Sequence, residues 1–209
     1  MTKTLAHFVS YLFHPLLFPT YAALLIIFTN PYRYAQFDFK DTSLFIIILF
    51  ITTFGFPVFS LIIMKMLRLI DDFKLKEKKQ RIIPYITTGT FYLWAFMHFK
   101  PGTRSLFSGD ATVSFMLLGA ALSVFIAFFI NIYRKISLHT LACGALIGVV
   151  MYTAGMAHYN YSYFLLASIF VGGIVGTSRL VLDAHQPREI YSGYFVGLFG
   201  QFFAFSFFV

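Results

Sequence analysis

The chain has 209 residues, of which 59% are hydrophobic, 21% aromatic and only 11% charged, and its formal net charge is +8. Soluble domains carry about 25% charged residues, so this composition excludes a soluble globular protein and indicates one embedded in a membrane. Because the basic residues alternate with long apolar segments, we expect a lipid bilayer with anionic headgroups as the partner, and no nucleic acid.

Apolar segments long enough to cross a bilayer recur from the first to the last part of the chain. A helical span needs about 20 residues, since each residue adds about 1.5 Å along the helix axis. The predicted spans, in chain order, are 8–29, 43–67, 83–99, 111–133, 138–157, 161–178 and 189–209. The third is the shortest and most polar. The sequence therefore predicts an all-α integral membrane protein, a bundle of six to seven transmembrane helices that forms one domain over 1–209.

Two polar clusters lie in loops between these spans. Lys74 and Arg81 are seven positions apart in the basic loop after the second span, so two helical turns would place them on one helical face. Ser137 and His139 open the fifth span, where a helix start presents unpaired backbone amides. Taken alone, Ser137 is also an ordinary helix cap, and the lysines of the basic loop also suit a lipid surface.

The most informative cluster follows the sixth span and contains Arg179, His185 and Glu189. Pro187 suits the first turn of a helix, so the last span is predicted to begin there, with His185 just outside its N-terminus. Such a terminus favours a bound phosphate, which arginine also binds well. Glu189 would accept a hydrogen bond from one imidazole nitrogen and leave the other nucleophilic.

The order of spans places all three clusters on the membrane face that carries the N-terminus. Most of the sixteen basic residues lie on the same face. Those assigned to the opposite face are Arg33, Lys40, Lys100 and Arg104. By the positive-inside rule we expect a multi-pass protein, of a bacterial inner membrane, whose N-terminus and site face the cytoplasm.

These clusters resemble the three motifs of the type 2 phosphatidic acid phosphatase superfamily. Its third motif is Ser-Arg, five residues, His, three residues and Asp, which residues 178–189 match with Glu189 in place of the aspartate. Its second motif, Pro-Ser-Gly-His, is matched by 136–139 in the serine and the histidine. Its first, a lysine, six residues and Arg-Pro, is matched by 74–81, with the proline displaced by two residues.

The resemblance implies a phosphatase-like core over 74–209 and an integral membrane lipid phosphatase. Such an enzyme would hydrolyse a phosphate monoester or diphosphate of a lipid, with no metal ion or other cofactor. The resemblance implies that His185 is the nucleophile that becomes a phosphohistidine, that Glu189 orients it and that His139 protonates the leaving alcohol. The phosphate ligands that it implies are Lys74, Arg81, Ser137 and Arg179.

Several departures from the family pattern leave other functions open. Glu189 is one methylene longer than aspartate, and Leu138 replaces a glycine beside the expected phosphate. Asp183 stands where the family often has glycine, four residues after Arg179, where it could pair with the arginine and repel an anionic substrate. A degenerate lipid-phosphate-binding or membrane-complex subunit, and a transferase, therefore stand as alternatives. Bacterial relatives commonly act outside the cytoplasm, so an extracytoplasmic site also stays open, and neither the lipid nor the oligomeric state is indicated.

The remaining histidines, prolines and glycines are interpreted as structural. The histidines in this group are His7, His14, His98 and His158. The prolines predicted to kink helices are Pro15, Pro19 and Pro57. The glycines predicted to allow close helix packing are Gly144, Gly148, Gly172, Gly173 and Gly176.

Overall fold

The computed structural model describes residues 1–30, 34, 38–73, 75, 77–101, 111–156 and 161–207. Lys74, one of the predicted phosphate ligands, lies outside the described residues, as do Arg33, Arg104 and His158. Within the described ranges, all regular secondary structure is helical.

The α-helices, in chain order, are α1 (Lys3–Leu12), α2 (Phe18–Thr29), α3 (Phe39–Phe50), α4 (Phe56–Met66), α5 (Ile82–Phe99), α6 (Ala111–Tyr133), α7 (Leu138–Met156), α8 (Ser162–Val181) and α9 (Pro187–Phe205). The short helical turns are a 3-10 turn at Pro15–Leu17, a π-helical turn at Ile51–Gly55 and a 3-10 turn at Lys79–Arg81.

Among the residues that the structure describes, five helical stretches are long and apolar enough to cross a membrane: Lys3–Thr29, Phe39–Met66, Ala111–Tyr133, Leu138–Gly155 and Ser162–Val181. Large apolar side chains are exposed over the outer surface, including Phe28 and Phe129. Such a surface is stable against lipid tails rather than water. The chain is therefore an all-α, multi-pass membrane protein. Helices also form at the third and seventh predicted spans, as α5 and α9.

The first span is a broken helix rather than a continuous one. α1 ends at Leu12, and a 3-10 turn begins at Pro15, whose ring cannot donate a backbone hydrogen bond. Between them His14 has extended backbone angles, and its Nδ1 accepts a hydrogen bond from the Leu16 amide at 3.4 Å. At membrane depth, irregular backbone is stable where it lines a cavity, and His14 does line one.

The closest helix packing joins α7 to α9 and depends on glycine. A Cβ added at Gly144 would lie 2.1 Å from the Tyr194 carbonyl oxygen, and one added at Gly193 would lie 2.2 Å from Thr140 Oγ1. Backbones can approach this closely only where a side chain is missing. Gly173, by contrast, has nothing within 4 Å of such a Cβ in the described part of the chain, so it does not serve close packing there.

The described residues of the basic segment, 67–73, 75, 77 and 78, form turns and irregular structure. The expectation that Lys74 and Arg81 share a helical face depends on Lys74, which lies outside the described residues. α4 ends in a Schellman turn at Arg68, whose φ is +58°: the Arg68 amide donates to the Lys65 carbonyl at 3.1 Å, and the Leu69 amide donates to the Met64 carbonyl at 2.9 Å. Farther along, Leu75 has a positive φ of 46°, and its amide donates to Asp72 Oδ1 at 3.1 Å.

Candidate functional site

A cavity of about 810 Å³ opens among α1, α5, α7 and α8. The charged and imidazole side chains that line it include Arg81, Lys135, His139, Arg179, Asp183 and His185. Apolar side chains line its other end, among them Met116, Leu146 and Val149. Val149 follows His139 by ten positions on α7, so this end lies about 15 Å deeper along the helix. The cavity therefore joins a cationic end to a mainly apolar end, which also contains the buried Gln201 side chain, whose Nε2 donates to the Met116 carbonyl at 3.1 Å.

His185 and Glu189 form a hydrogen-bonded pair at the start of α9. His185 Nδ1 lies 2.7 Å from Glu189 Oε2, and the two side chains are 7% and 19% exposed. The same carboxylate oxygen accepts from the Gln186 amide at 3.3 Å, completing a capping box that fixes the glutamate. A carboxylate only accepts hydrogen bonds, so the imidazole proton lies on Nδ1 and Nε2 keeps its lone pair.

The protonation state of His185 suits a nucleophile. The pKa of His185 is lowered to about 4, mainly by burial and also by the cationic side chains of Arg179 and Arg81, while the hydrogen bond that it donates to Glu189 raises it. The imidazole is therefore neutral at pH 7, because its pKa lies below that of the free side chain.

His139 is held by the N-terminal helix. Its Nε2 lies 3.2 Å from the Ser10 carbonyl oxygen. A carbonyl accepts only, so Nε2 carries the proton and Nδ1 is left as an acceptor. The ring of His14 lies 5.9 Å from that of His139, centroid to centroid, in an edge-to-face arrangement.

Arg179, near the end of α8, has donors that remain for a ligand. Its Nη1 donates to Ser10 Oγ at 3.1 Å, while its buried Nε has no hydrogen-bond partner in the described part of the chain. A guanidinium carries five N–H donors, and a phosphate can take several of them. Ser10 thus positions both Arg179 and His139.

Asp183 occupies a position with a conformational requirement. Its φ is +50°, and it follows α8 in a Schellman turn. In that turn the Ala184 amide donates to the Arg179 carbonyl at 3.1 Å, and the Asp183 amide donates to the Leu180 carbonyl at 2.9 Å. Glycine or a short polar residue favours this left-handed conformation. Asp183 lines the cavity and forms no ion pair with Arg179 in the described structure.

Ser137 is not a wall of the cavity. The residue is fully buried, and its Oγ accepts from the Thr140 amide at 3.5 Å, as the cap of α7. Its own amide donates to the Glu189 carbonyl at 3.2 Å. Of the two Ser137 groups that the resemblance assigns to phosphate, the amide therefore joins the start of α7 to the start of α9, and the hydroxyl oxygen caps α7.

Arg81 ends the 3-10 turn before α5 and lines the cavity. Its Nε donates to the Leu75 carbonyl at 2.6 Å, which orients the guanidinium. The neighbouring loop is tied to the end of α6, since Lys78 Nζ donates to the Tyr133 carbonyl at 2.7 Å. Of the predicted site, the structure thus brings Arg81, His139, Arg179 and His185 to one cavity, with Glu189 behind His185.

Sequence reasoning missed Ser10 and His14, both of which line the cavity. His14 was interpreted as structural because it lies inside an apolar span. The signal that could have found it is the proline at 15, since a proline beside a polar side chain in a span is typical of helix breaks that line a cavity.

Among the residues that the structure describes, no group of three or more His, Cys, Asp or Glu side chains could hold a metal ion. No family model, curated protein or solved structure matches this chain.

Proposed function

We propose that this protein is an integral membrane lipid phosphatase, with six to seven spans and a type 2 phosphatidic acid phosphatase-like core over 74–209. Its substrate would be a phosphate monoester or diphosphate of a lipid. The observation that carries the proposal is the His185–Glu189 pair, with Arg179, at the cationic end of a cavity whose other end is mainly apolar. A charged headgroup suits one end of that cavity and a hydrocarbon chain suits the other.

The reaction would proceed in two displacements. His185 Nε2 attacks phosphorus, and the bond from phosphorus to the lipid oxygen breaks. His139 would enter this step as an imidazolium and give its Nδ1 proton to that oxygen, while its Nε2–H stays on the Ser10 carbonyl. A water molecule then attacks the phosphohistidine, giving its proton to His139, and inorganic phosphate leaves. Arg81 and Arg179 would stabilise the charge on the equatorial oxygens, and no step requires a metal ion.

The test is phosphate release from defined lipids by the purified protein in nanodiscs. A panel of phosphatidate, phosphatidylglycerophosphate, a polyprenyl diphosphate and lipid A covers the substrate classes. We expect release from at least one lipid, its loss in His185→Ala, and full activity in His98→Ala, whose ring packs on Trp94 and Phe99 of α5 and does not line the cavity. Wild-type protein that releases no phosphate from any of these lipids would contradict the proposal.

A lipid-phosphate-binding subunit without catalysis is the second candidate. It is favoured by Ser137, whose amide donates to the Glu189 carbonyl and whose hydroxyl oxygen caps α7, and which does not line the cavity. Under this alternative the wild-type protein would retain a lipid phosphate without turnover, and His185→Gln would retain it equally. Native mass spectrometry of protein released from nanodiscs distinguishes the two candidates. A transferase would be recognised by the appearance of labelled phosphate on an added alcohol acceptor.

We also propose that the site faces the cytoplasm, as the distribution of basic residues favours. Cys143, the single cysteine, is buried, so a new cysteine can be labelled selectively with a membrane-impermeant reagent. Lys79→Cys lies in an exposed part of the basic loop. Labelling only after the cells are opened supports a cytoplasmic site, and labelling of intact cells supports an extracytoplasmic one.

A further inference from the structure

In the described part of the chain, every charged side chain that lines the main cavity lies in a loop or in the first or last turn of a helix. These side chains are Lys3, Arg81, Lys135, Arg179 and Asp183. They all belong to the face of the bundle that carries the N-terminus. The negative charge of a substrate is therefore bound at that end, and the part of the substrate that follows deeper in the cavity meets neutral side chains.

His14 lies where the cationic end of the cavity gives way to the apolar end. Its ring lies 5.9 Å from the ring of His139 and 6.5 Å from the ring of Phe54, which is part of the π-helical turn inside the second span. Its Nδ1 accepts from the Leu16 amide, so the proton of the neutral imidazole lies on Nε2. This N–H has no acceptor in the described structure, and His14 lines the cavity. His14 therefore offers a hydrogen-bond donor to a ligand.

Tyr85 of α5 lies at a similar depth. It follows Arg81 by four positions, which places it about 6 Å deeper along the helix. It packs in the same hydrophobic cluster as Leu16, and Phe54 packs against that cluster. Tyr85 is 2% exposed and lines the cavity, and its hydroxyl has no hydrogen-bond partner among the described residues, although the Arg81 guanidinium lies near it. A buried hydroxyl without a partner is costly, so a ligand that pairs with this group is favoured.

We propose that His14 and Tyr85 form a neck that binds the ester carbonyl oxygens of an acylglycerol phosphate. The inference rests on the proposed function, because it takes Arg179 and His185 as the phosphate site. In such a lipid the nearer ester carbonyl carbon lies about 6 Å from phosphorus, since an extended chain advances about 1.2 Å per bond. That length matches the depth of Tyr85 below Arg81.

The chemistry of the neck distinguishes between classes of lipid phosphate. An imidazole N–H and a phenol O–H are neutral donors, and an ester carbonyl is a neutral acceptor. A prenyl diphosphate would place a second negative charge in the neck, and a plain alkyl phosphate would leave both donors without a partner. The neck therefore favours a glycerol ester over both.

The test compares lipids that differ only in their carbonyl groups. Dioleoyl phosphatidate carries ester carbonyls, and its dioleyl ether analogue has methylenes in their place. Phosphate release from each is measured in phosphatidylcholine nanodiscs for the wild type, His14→Phe and Tyr85→Phe. Tyr85→Phe removes a single oxygen atom and keeps the ring. The matched control is His98→Phe, which lies on α5 and does not line the cavity.

We expect the wild type to favour the ester lipid by about tenfold in kcat/KM, because the ether leaves the donors of the neck unpaired. In His14→Phe and in Tyr85→Phe the ratio should fall to about threefold or less, because each variant removes one donor. His98→Phe should keep the wild-type ratio. A purely structural role of the neck would lower the rates on both lipids together, and a ratio that stays at its wild-type value in both variants would overturn the inference. Equal rates of the wild type on the two lipids would also overturn it. If His14→Phe does not fold, the ratio in Tyr85→Phe decides.

Failure of the proposed function is recognised separately, as wild-type protein that releases phosphate from neither lipid. Retention of the two lipids, measured by native mass spectrometry, then decides on the neck alone. Stronger retention of the ester lipid than of the ether by the wild type, with a smaller difference in Tyr85→Phe, supports the neck, and equal retention of the two lipids by the wild type overturns it.

Discussion

Glu189→Gln isolates the contribution of one charge to the candidate nucleophile. The Glu189 carboxylate accepts from His185 Nδ1 at 2.7 Å and from the Gln186 amide at 3.3 Å. Glutamine keeps the length and one acceptor oxygen, and it serves equally in a capping box. The variant should therefore keep the start of α9 and lose only the negative charge beside the imidazole.

The expected loss follows from the type of hydrogen bond. Bonds to charged groups contribute about 1.5–3 kcal/mol and neutral ones about 0.5–1.5 kcal/mol, so the substitution removes about 1–2 kcal/mol of support for the imidazolium-like transition state. That corresponds to a fall in kcat of about 5- to 30-fold. Since Glu189 raises the pKa of His185, its neutralisation lowers that pKa further. His185 stays neutral at pH 7, so the loss reflects orientation and charge rather than protonation.

The assay is phosphate release over pH 5–9, alongside thermal unfolding of both proteins. We expect a lower kcat at every pH, an unchanged KM within about twofold, and an unchanged unfolding temperature. A Glu189→Gln protein with wild-type kcat and wild-type stability would refute the role of Glu189. A loss confined to acidic pH would refute the assignment of a neutral His185.

Three further substitutions test neighbouring parts of the account. Asp183→Asn keeps a residue that tolerates positive φ but removes a negative charge, so KM for an anionic lipid should fall about two- to fivefold, measured at low salt. His14→Phe removes a ring nitrogen donor from the cavity and should lower kcat/KM about tenfold. His14→Gln should restore part of that activity, and the control His98→Phe should have no effect. Equal activity of His14→Phe and His14→Gln would contradict a polar role of His14. Gly193→Ala should lower the free energy of unfolding by about 1–3 kcal/mol, because the added methyl group would overlap Thr140 of α7. Gly173→Ala, where the space is open, should leave that free energy equal or higher. Equal unfolding temperatures of the two variants would contradict the close packing of α7 on α9.

The helices and the His185–Glu189 pair could be predicted because local rules determine them. Apolar length predicts the spans, and Pro187 with Glu189 predicts a capped helix start, which the structure shows. The four-residue spacing then brings the imidazole and carboxylate together on that start.

Contacts between residues that are far apart in the sequence cannot be predicted from such local rules. Ser10 meets Arg179 and His139 across more than a hundred residues of chain, and nothing in the local pattern around Ser10 indicates this. The burial of Ser137 likewise depends on α9 lying against the start of α7, which Gly193 permits through its missing side chain.

The central claim is that His185 forms a covalent bond to phosphorus. The direct measurement is to mix the wild-type protein with a lipid carrying labelled phosphate, quench within milliseconds, and locate the label by mass spectrometry. We expect an acid-labile, alkali-stable phosphoryl group on His185 that is absent in His185→Ala. It should be more abundant in His139→Ala, because the attacking water then lacks the base that takes its proton. Phosphate release by the wild-type protein with no label on His185, or a label that persists in His185→Ala, would contradict the account.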